Sequence, residues 1–449
     1  MWVTLFNDKN LLMMVLNKRF IRRQIQYMLF CDAKEEEFEL NREFRKDKII
    51  YKEVKLKNRG CICKRCGTFH TGIKEYRKKW IVHSIYACEP SVVIYHQRRF
   101  LCPECGKTHM EENPFCSKEN RVSDKTVLNI LKDLKRYNNP FTSVAERYNL
   151  SVKGVIKIFD RYVNMERLPL TKAMCFDEIY FSRKRRKKYV LVILNYFNRA
   201  IVDVLKDRDK ITIARWLRNI PLEERNRVEY ISIDMNESYK DVLSLYLHNA
   251  TVIVDSFHVL KRVSKALDDI RKRVMRRYEN DKRSDEYYLL KYRDELLYKK
   301  ELSHNRKHNH HYHFPLSENE LKEKIKQIDE DLALAYELYH MYASFNEKRY
   351  KDLSLAEKEL KEIIYTYRLS GLKEFMDLAD TLEHWQKEIV SSFSLFREKR
   401  INNGPIEGRN SLIKKVLRIA NGYSNFERFR NRIIYSLNRY ASDSFKKDQ

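Results

Sequence analysis

Apolar residues recur along this chain with two periods, and the alternation between them divides it. Val127, Ile130, Leu131 and Leu134 follow i, i+3, i+4, i+7, one face of a helix that Ser123 or Asp124 can cap. Val144, Ala145 and Tyr148 form a second, shorter face. After the turn Asn149-Leu150-Ser151, Ser151 can cap a third helix, whose face is Val152, Val155, Ile156, Phe159 and Val163. Two helices joined by a tight turn predict a helix-turn-helix within 120–166. Lys153, Lys157 and Arg161 lie off the apolar face, where DNA would meet them. An αα-hairpin with no DNA contact has the same pattern.

From 170 to 262 the period changes repeatedly. KAMCFDEIYF, KYVLVILNYF, AIVDVL, VEYISIDM and ATVIVDSF read as strands. ITIARWLRNI, SYKDVLSLYL and a long segment from Val259 read as helices. The order β-β-β-α-β-α-β-α is that of an RNase H-like mixed sheet, which gathers acids at its strand ends. Residues 263–398 keep helical spacing almost throughout, beginning with Leu260, Val263, Leu267, Ile270 and Val274. They are expected to form an all-helical insertion that interrupts the core. His304, His308, His310, His311 and His313 crowd one stretch of it, read as a polar, partly disordered loop. Residues 399–442 complete the core with a helix begun at Asn403-Gly404-Pro405. On that helix Glu407, Asn410, Lys414 and Arg418 share a polar face, and Ile406, Ile413, Leu417 and Ala420 an apolar one. Residues 1–54 are expected to be a basic helical N-terminal segment with an acidic patch at Glu35–Glu37, and 443–449 a tail. Met13 and Met14 are alternative openings to Met1.

Composition narrows the function. The 449 residues carry 90 Lys+Arg against 63 Asp+Glu, a net charge of +27. Such an excess points to a polyanion, because Lys and Arg neutralise phosphates and release condensed counterions. A ribosome-like or membrane-surface basic protein would share it. Only 9 Gly and 8 Pro favour long helices. Asp8, Lys9 and Asn10 interrupt the apolar N-terminus, no small-residue cleavage site follows, and no run of about 18 apolar residues exists. The expectation is a cytoplasmic, nucleoid-associated bacterial protein with no membrane partner.

Cysteines cluster rather than scatter. Cys63-x2-Cys66 and Cys102-x2-Cys105 bring four thiolates to the geometry of a structural Zn²⁺ site, and strand-like Trp80–Tyr86 and Ser91–Tyr95 lie between them. That predicts a zinc ribbon over 55–116, in which metal replaces a small core. Cys61 and His109 are substitute ligands. Arg98 and Arg99 are candidate phosphate contacts.

Three acids sit where metal-dependent chemistry needs them. Asp177 closes the first strand, on the side of Cys175. Asp234 closes the fourth, on the side of Ser232. Glu407 opens the late helix. First and fourth strands are neighbours in an RNase H-like sheet, so the aspartates can converge. Converging carboxylates repel unless a dication neutralises them, and oxygen ligands suit Mg²⁺ or Mn²⁺. A metal pair would activate water or a DNA 3′-hydroxyl. Asp255 also ends a strand, with His258 three residues on; it rivals Asp234 or supports it from behind. Cys175 reads as a packed strand residue.

Together CKRC…RRFLCPECGKTH, CFDEIYF, SIDMNESY…NATVIVDSFHVLKRVSKALDDIRK and NNGPIEGRNSLIKKVLRIANGYSNFERFRNRIIY resemble the ISL3 family of bacterial insertion-sequence transposases, from about residue 55 to 440. The resemblance implies a DDE transposase with Asp177, Asp234 and Glu407 as its triad, and Cys63, Cys66, Cys102 and Cys105 as zinc ligands. His109 stands where the family usually has an aromatic residue, which keeps a Cys3His set open. The first 50 residues fit the family poorly. The implied partner is double-stranded DNA, both element ends and target, bound by a homodimer or higher assembly. Arg183–Lys188, Lys414, Arg418, Arg428, Arg430 and Arg432 are candidate phosphate contacts. Two rivals stay open: an RNase H-like nuclease or resolvase without strand transfer, and a non-enzymatic zinc-ribbon/helix-turn-helix regulator.

Overall fold

The computed structural model describes residues 37–84, 89–116, 121–181, 188–396 and 399–438. They form two units. One runs up to Glu166 and takes in the segment from Lys415 onward; the other is Arg167–Lys414.

The first unit begins with strands. β1 (Phe38–Lys46) and β2 (Ile49–Leu56) pair antiparallel across Asp47-Lys48, both with positive φ, as a two-residue hairpin turn requires. β3 (Cys61–Ile62) and β4 (Phe69–His70) form a small ladder. β5 (Ile73–Val82), β6 (Ser91–Leu101) and β7 (Thr108–Met110) complete a sheet of order β1-β2-β6-β5, with β7 also on β6. Phe38, Val54, Ile81, Val93, Tyr95 and Phe115 make its core. This corrects the helical reading of 1–54 over its described part. Pairing of β2 with β6, parallel from Ile50↔Ser91 to Val54↔Tyr95, overrides the helix propensity of the local Glu, Lys and Arg residues. The boundary drawn at 54/55 therefore cuts a strand. Residues 1–36, Cys88, 183–187 and 443–449 lie outside the described residues.

Next come α1 (Asp124–Leu134), α2 (Phe141–Arg147) and α3 (Val152–Tyr162). Ser123 and Ser151 cap α1 and α3 through their side chains, and Asn149 makes the turn at φ 51°.

The second unit holds β8 (Ala173–Tyr180), β9 (Tyr189–Asn195), β10 (Ile201–Leu205), α4 (Lys210–Arg218), α5 (Leu222–Asn226), β11 (Tyr230–Ile233), α6 (Glu237–Tyr246), β12 (Thr251–Val254) and α7 (Ser256–Met275). Strand order is β10-β9-β8-β11-β12. The first two pairings are antiparallel, and β8-β11-β12 run parallel. One face of β8, through Met174 and Phe176, joins a core that continues through Val263, Leu267 and Ile270 of α7 into the following helices. These are α8 (Asp285–Tyr292), α9 (Glu318–Gln327), α10 (Glu330–Glu347), α11 (Leu353–Leu369), α12 (Lys373–His384) and α13 (Gln386–Ser391). The histidine-rich stretch is ordered, contrary to expectation. Lys307–Asn309 pairs with Phe314–Leu316, and His311 stacks on Tyr288 at 4.0 Å and bonds Asp285 at 2.8 Å.

α14 (Gly404–Ile419) follows, and α15 (Phe426–Leu437) ends the described chain. α15 belongs to the first unit. Tyr423 and Tyr435 pack on the core of α1–α3, and buried Arg432 donates to the carbonyls of Arg136 and Asn139. The segment 399–442 is thus split between the units.

Candidate functional site

The opposite face of β8 carries Ala173, Cys175 and Asp177. Ala173 packs with Ile253 and Ile401, and Cys175 is fully buried, a packed residue as expected. Because β8, β11 and β12 are parallel neighbours, their C-terminal ends bring Asp177, Asp234 and Asp255 to one edge of the sheet. Asp177, Glu178, Asp234, His258, Lys261, Arg262 and Lys265 line a cleft of about 560 Å³ there.

Two asparagines tie the late helix to these acids. Asn403 heads α14: its carbonyl accepts from the amides of Ile406 and Glu407, while its side chain turns to the sheet. There Asn403 Nδ2 donates to Asp234 Oδ1 (3.0 Å), and Ser232 Oγ donates to Asn403 Oδ1 (2.6 Å). The Asn403 amide reaches Asp255 Oδ1 at 3.3 Å. One turn past Glu407, Asn410 Nδ2 donates to Asp177 Oδ2 at 2.6 Å. Asp177 Oδ1 takes the Glu178 amide at 2.7 Å.

His258 joins the group from α7. Its Nδ1 lies 3.2 Å from Asp234 Oδ2; its Nε2 lies 3.9 Å from Asp255 Oδ2 and 3.8 Å from Glu407 Oε1. Asp234, Asp255 and His258 each offer a ligand atom within 4.8 Å of the others. Glu407 is half exposed at the rim.

The electrostatics are those of crowded acids. Burial, then the charge of Asp234, pushes the Asp177 carboxyl up to about 7, against the bonds from the Glu178 amide and Asn410. Burial also raises Asp234; His258 and Asn403 oppose it and Asp255 adds to it. Among the described residues Asp255 Oδ2 is buried with no hydrogen-bond partner. Acids held out of water with an orphaned oxygen among them fit a divalent cation, which would remove their mutual repulsion.

The neighbouring face of β8 carries a separate link. Glu178 accepts from Arg208 and from the Tyr239 hydroxyl (2.7 Å), and Arg208 lies over the Tyr189 ring.

In the first unit, Cys63, Cys66, Cys102 and Cys105 offer sulfurs within 4.8 Å of one another. The Cys63–Cys105 and Cys66–Cys102 separations are both 3.5 Å. A tetrahedron with bonds of about 2.3 Å has edges of about 3.8 Å, so the four fit a structural metal. Each knuckle closes through a glycine, Gly67 at φ 74° and Gly106 at φ 69°, whose amides reach Cys63 and Cys102 carbonyls. A Cβ there would meet nothing, so the left-handed backbone and not space calls for glycine. His109 Nε2 lies 3.0 Å from Cys63 Sγ, and Cys61 pairs with His70 at 3.4 Å.

Among the proposed DNA contacts, Lys153, Lys157, Arg161, Lys414 and Arg418 are exposed. Several other arginines are held by partners within the protein, two of them, Arg98 and Arg432, buried. Arg98 is buried on Glu111 and the carbonyls of Leu56 and Lys57, and Arg99 pairs with Glu75. Arg428 pairs with Asp160, Arg430 bonds the Met165 carbonyl, and Arg432 is described above. For the buried Arg98 and Arg432 this is a correction: a charged letter does not reveal whether its carrier is buried. Sequence reasoning also missed Asn403 and gave Asn410 no role. The one available signal was their place on the helix face that carries Glu407.

A family model described as Transposase, of the ISL3 DDE group, matches residues 174–433. The transposase for insertion sequence element IS1001 of Bordetella parapertussis is 21% identical over 384 residues, covering 82% of this chain and 86% of that protein. The transposase for IS1557 of Mycobacterium tuberculosis is 27% identical over 117 residues, 26% of this chain and 24% of that protein.

Proposed function

The chain belongs to the ISL3 family of transposases, and from that premise we propose that it is a DDE-type enzyme that binds the terminal inverted repeats of its element and cuts and joins DNA at the carboxylate cleft. The observation that carries this reading is the convergence around His258. Asp234 and Glu407, 173 residues apart in sequence, approach the same imidazole, and Asp177 lies within electrostatic reach of Asp234.

The architecture supports it. The β10-β9-β8-β11-β12 order is that of an RNase H-like core. The helices from α8 to α13 read as an insertion between β12 and α14. The four-cysteine cluster reads as a zinc ribbon, and α1–α3 as a helix-turn-helix. Zn²⁺ in the ribbon would hold the two knuckles together.

Asp177, Asp234 and Glu407 would hold Mg²⁺ or Mn²⁺, which when bound supplies Lewis-acid activation of the attacking and leaving oxygens of a phosphodiester. The chain itself supplies position. Asn410 and Asn403 each hold one carboxylate oxygen, of Asp177 and Asp234 respectively, and so fix the orientation of both acids. Asp255 accepts from the Asn403 amide, and its Oδ2 lies 3.9 Å from His258 Nε2. Lys153, Lys157, Arg161, Lys414 and Arg418 engage phosphates, a sequence-independent attraction that keeps the duplex on the protein. A homodimer or higher assembly would pair two element ends in the cytoplasm.

The mutual proximity of Asp234, Asp255 and His258 favours a second assignment, in which Asp255 is the middle carboxylate. The test uses purified protein, labelled DNA carrying the flanking inverted repeat, and Mg²⁺ or Mn²⁺. The expected result is end cleavage and joining to a target plasmid, lost in Asp234→Ala and only reduced in Asp255→Ala. The reverse pattern moves the middle carboxylate to Asp255. Cleavage without joining leaves a nuclease. Specific binding with no cleavage in any metal overturns the enzyme reading.

A further inference from the structure

α7 carries two kinds of positive charge. In its C-terminal half every cation that faces a neighbour is neutralised: Arg271 and Lys272 by Asp268, and Arg273 by Asp331 and Glu374; just beyond the helix, Arg277 pairs with Asp329. In its N-terminal half Lys261, Arg262 and Lys265 are exposed, and among the described residues none has an ion-pair partner, although all three line the cleft that holds Asp177 and Asp234. Cations that remain unpaired beside such acids are open to a polyanion that also reaches the acids.

Phe257 precedes them on the same face. Phe257, Lys261 and Lys265 are spaced i, i+4, i+8, so they form one line along the helix, about 12 Å long. The Phe257 side chain is 57% exposed, and its ring lies edge-on to His258 with centroids 5.8 Å apart. Phenylalanine is ordinarily buried. Here one stands in water against His258, which lines the cleft and contacts Asp234. An exposed aromatic leading into a row of free cations is the arrangement that binds unpaired nucleic acid: the ring stacks a base, and the cations follow the phosphates. Twelve ångströms covers at most about three nucleotides, the number at duplex spacing, and fewer of an extended unpaired strand.

We propose that this face of α7 seats the strand to be cut at the element end, with an unpaired base stacked on Phe257 and the adjoining phosphates on Lys261, Arg262 and Lys265. The inference rests on the transposase reading above and adds that the end must be locally unpaired to react. The commitment to the element end follows from the order of the steps: the cleft that these cations line receives the end's phosphodiester for cleavage before any target strand is joined there.

The test uses the full chain and a repeat-end duplex with 2-aminopurine at successive positions around the cleavage junction, in Ca²⁺ for binding and Mg²⁺ for cleavage. One position is expected to change fluorescence on binding. That change is lost in Phe257→Ala and kept in Phe257→Tyr, and cleavage falls roughly tenfold in the alanine variant alone. Lys261→Ala and Lys265→Ala each lower the salt dependence of end binding by about one unit of log–log slope. A junction fully cleavable by Phe257→Ala, with its fluorescence change intact, overturns the proposal. So does a defect confined to joining, with end binding and cleavage unchanged, since that would give the face to target DNA. Failure of the unaltered protein to bind or cut any repeat end removes the transposase reading, and this inference falls with it. Pre-unpaired ends separate the remaining case: they should restore more cleavage to Phe257→Ala than to the lysine variants, whose lost phosphate contacts unpairing does not replace, and equal rescue counts against the proposal.

Discussion

Asn403 donates its side-chain amide to Asp234 Oδ1 at 3.0 Å, across 169 residues of chain. The same side chain accepts from Ser232, and its backbone amide meets Asp255. A single residue at the head of α14 thus bonds to β11 and to the loop after β12.

Removing that residue should uncouple the helix from the sheet at the point where the chemistry is proposed. Asn403→Ala is expected to lower end cleavage by more than tenfold, and to lower the melting temperature as well, because it leaves buried Ser232 without its acceptor. Asn410→Ala should lower cleavage comparably. Among the described residues its side chain bonds Asp177 alone, so its expected loss of stability is smaller. Cleavage rates beside thermal melts of both variants check this.

The crowding of acids has a pH signature. The folded chain holds the Asp177 proton up to about pH 7, whereas the unfolded chain releases it near 3.8. The folded state therefore binds more protons between these values, and stability without metal should fall as pH rises from about 4 to about 7. Asp177→Asn removes that contribution and should flatten the profile. Divalent cation should bind more tightly as pH rises through 7, with proton release. Melts with and without Mg²⁺ at pH 5.5 and pH 8 read both effects: stabilisation by Mg²⁺ should be larger at pH 8.

The four-cysteine cluster should carry one zinc per chain. Cys102→Ser is expected to lose the metal and to unfold the sheet of the first unit at lower temperature. Metal content and limited proteolysis within 37–116 check it; retained zinc in that variant would exclude Cys102 as a ligand.

On α3, Lys153 and Lys157 are exposed, and among the described residues neither has an ion-pair partner. Lys153→Ala and Lys157→Ala should each weaken DNA binding and reduce the salt slope by about one, without changing cleavage of ends already bound at low salt. Electrophoretic titrations at several salt concentrations decide the matter.

What could be read in advance followed locality. Asp177, Asp234 and Asp255 were visible because strand ends are visible in period and composition, and the Cys-x2-Cys pairs because metal spacing is local. The hairpin of β1 and β2 was misread because its decisive partner, β6, lies about forty residues downstream. Asn403 and Asn410 could not be assigned because their acceptors are 169 and 233 residues away. Arg98 and Arg432 looked like surface cations because a letter does not report burial. Phe257 was passed over for the opposite reason: an apolar letter suggests the interior, and this one stands outside.

The placement of α14 bears on how the protein is made. Synthesis delivers Asp177, Asp234 and Asp255 early, and Asn403, Glu407 and Asn410 only after the whole helical array has been translated. A chain stopped by a nonsense codon or frameshift anywhere between α7 and α14 has its aspartates but neither asparagine to orient them. On the proposed function, truncated products of the gene should then be unable to cleave DNA, and the ribosome must reach α14 before the set of side chains around the cleft is complete.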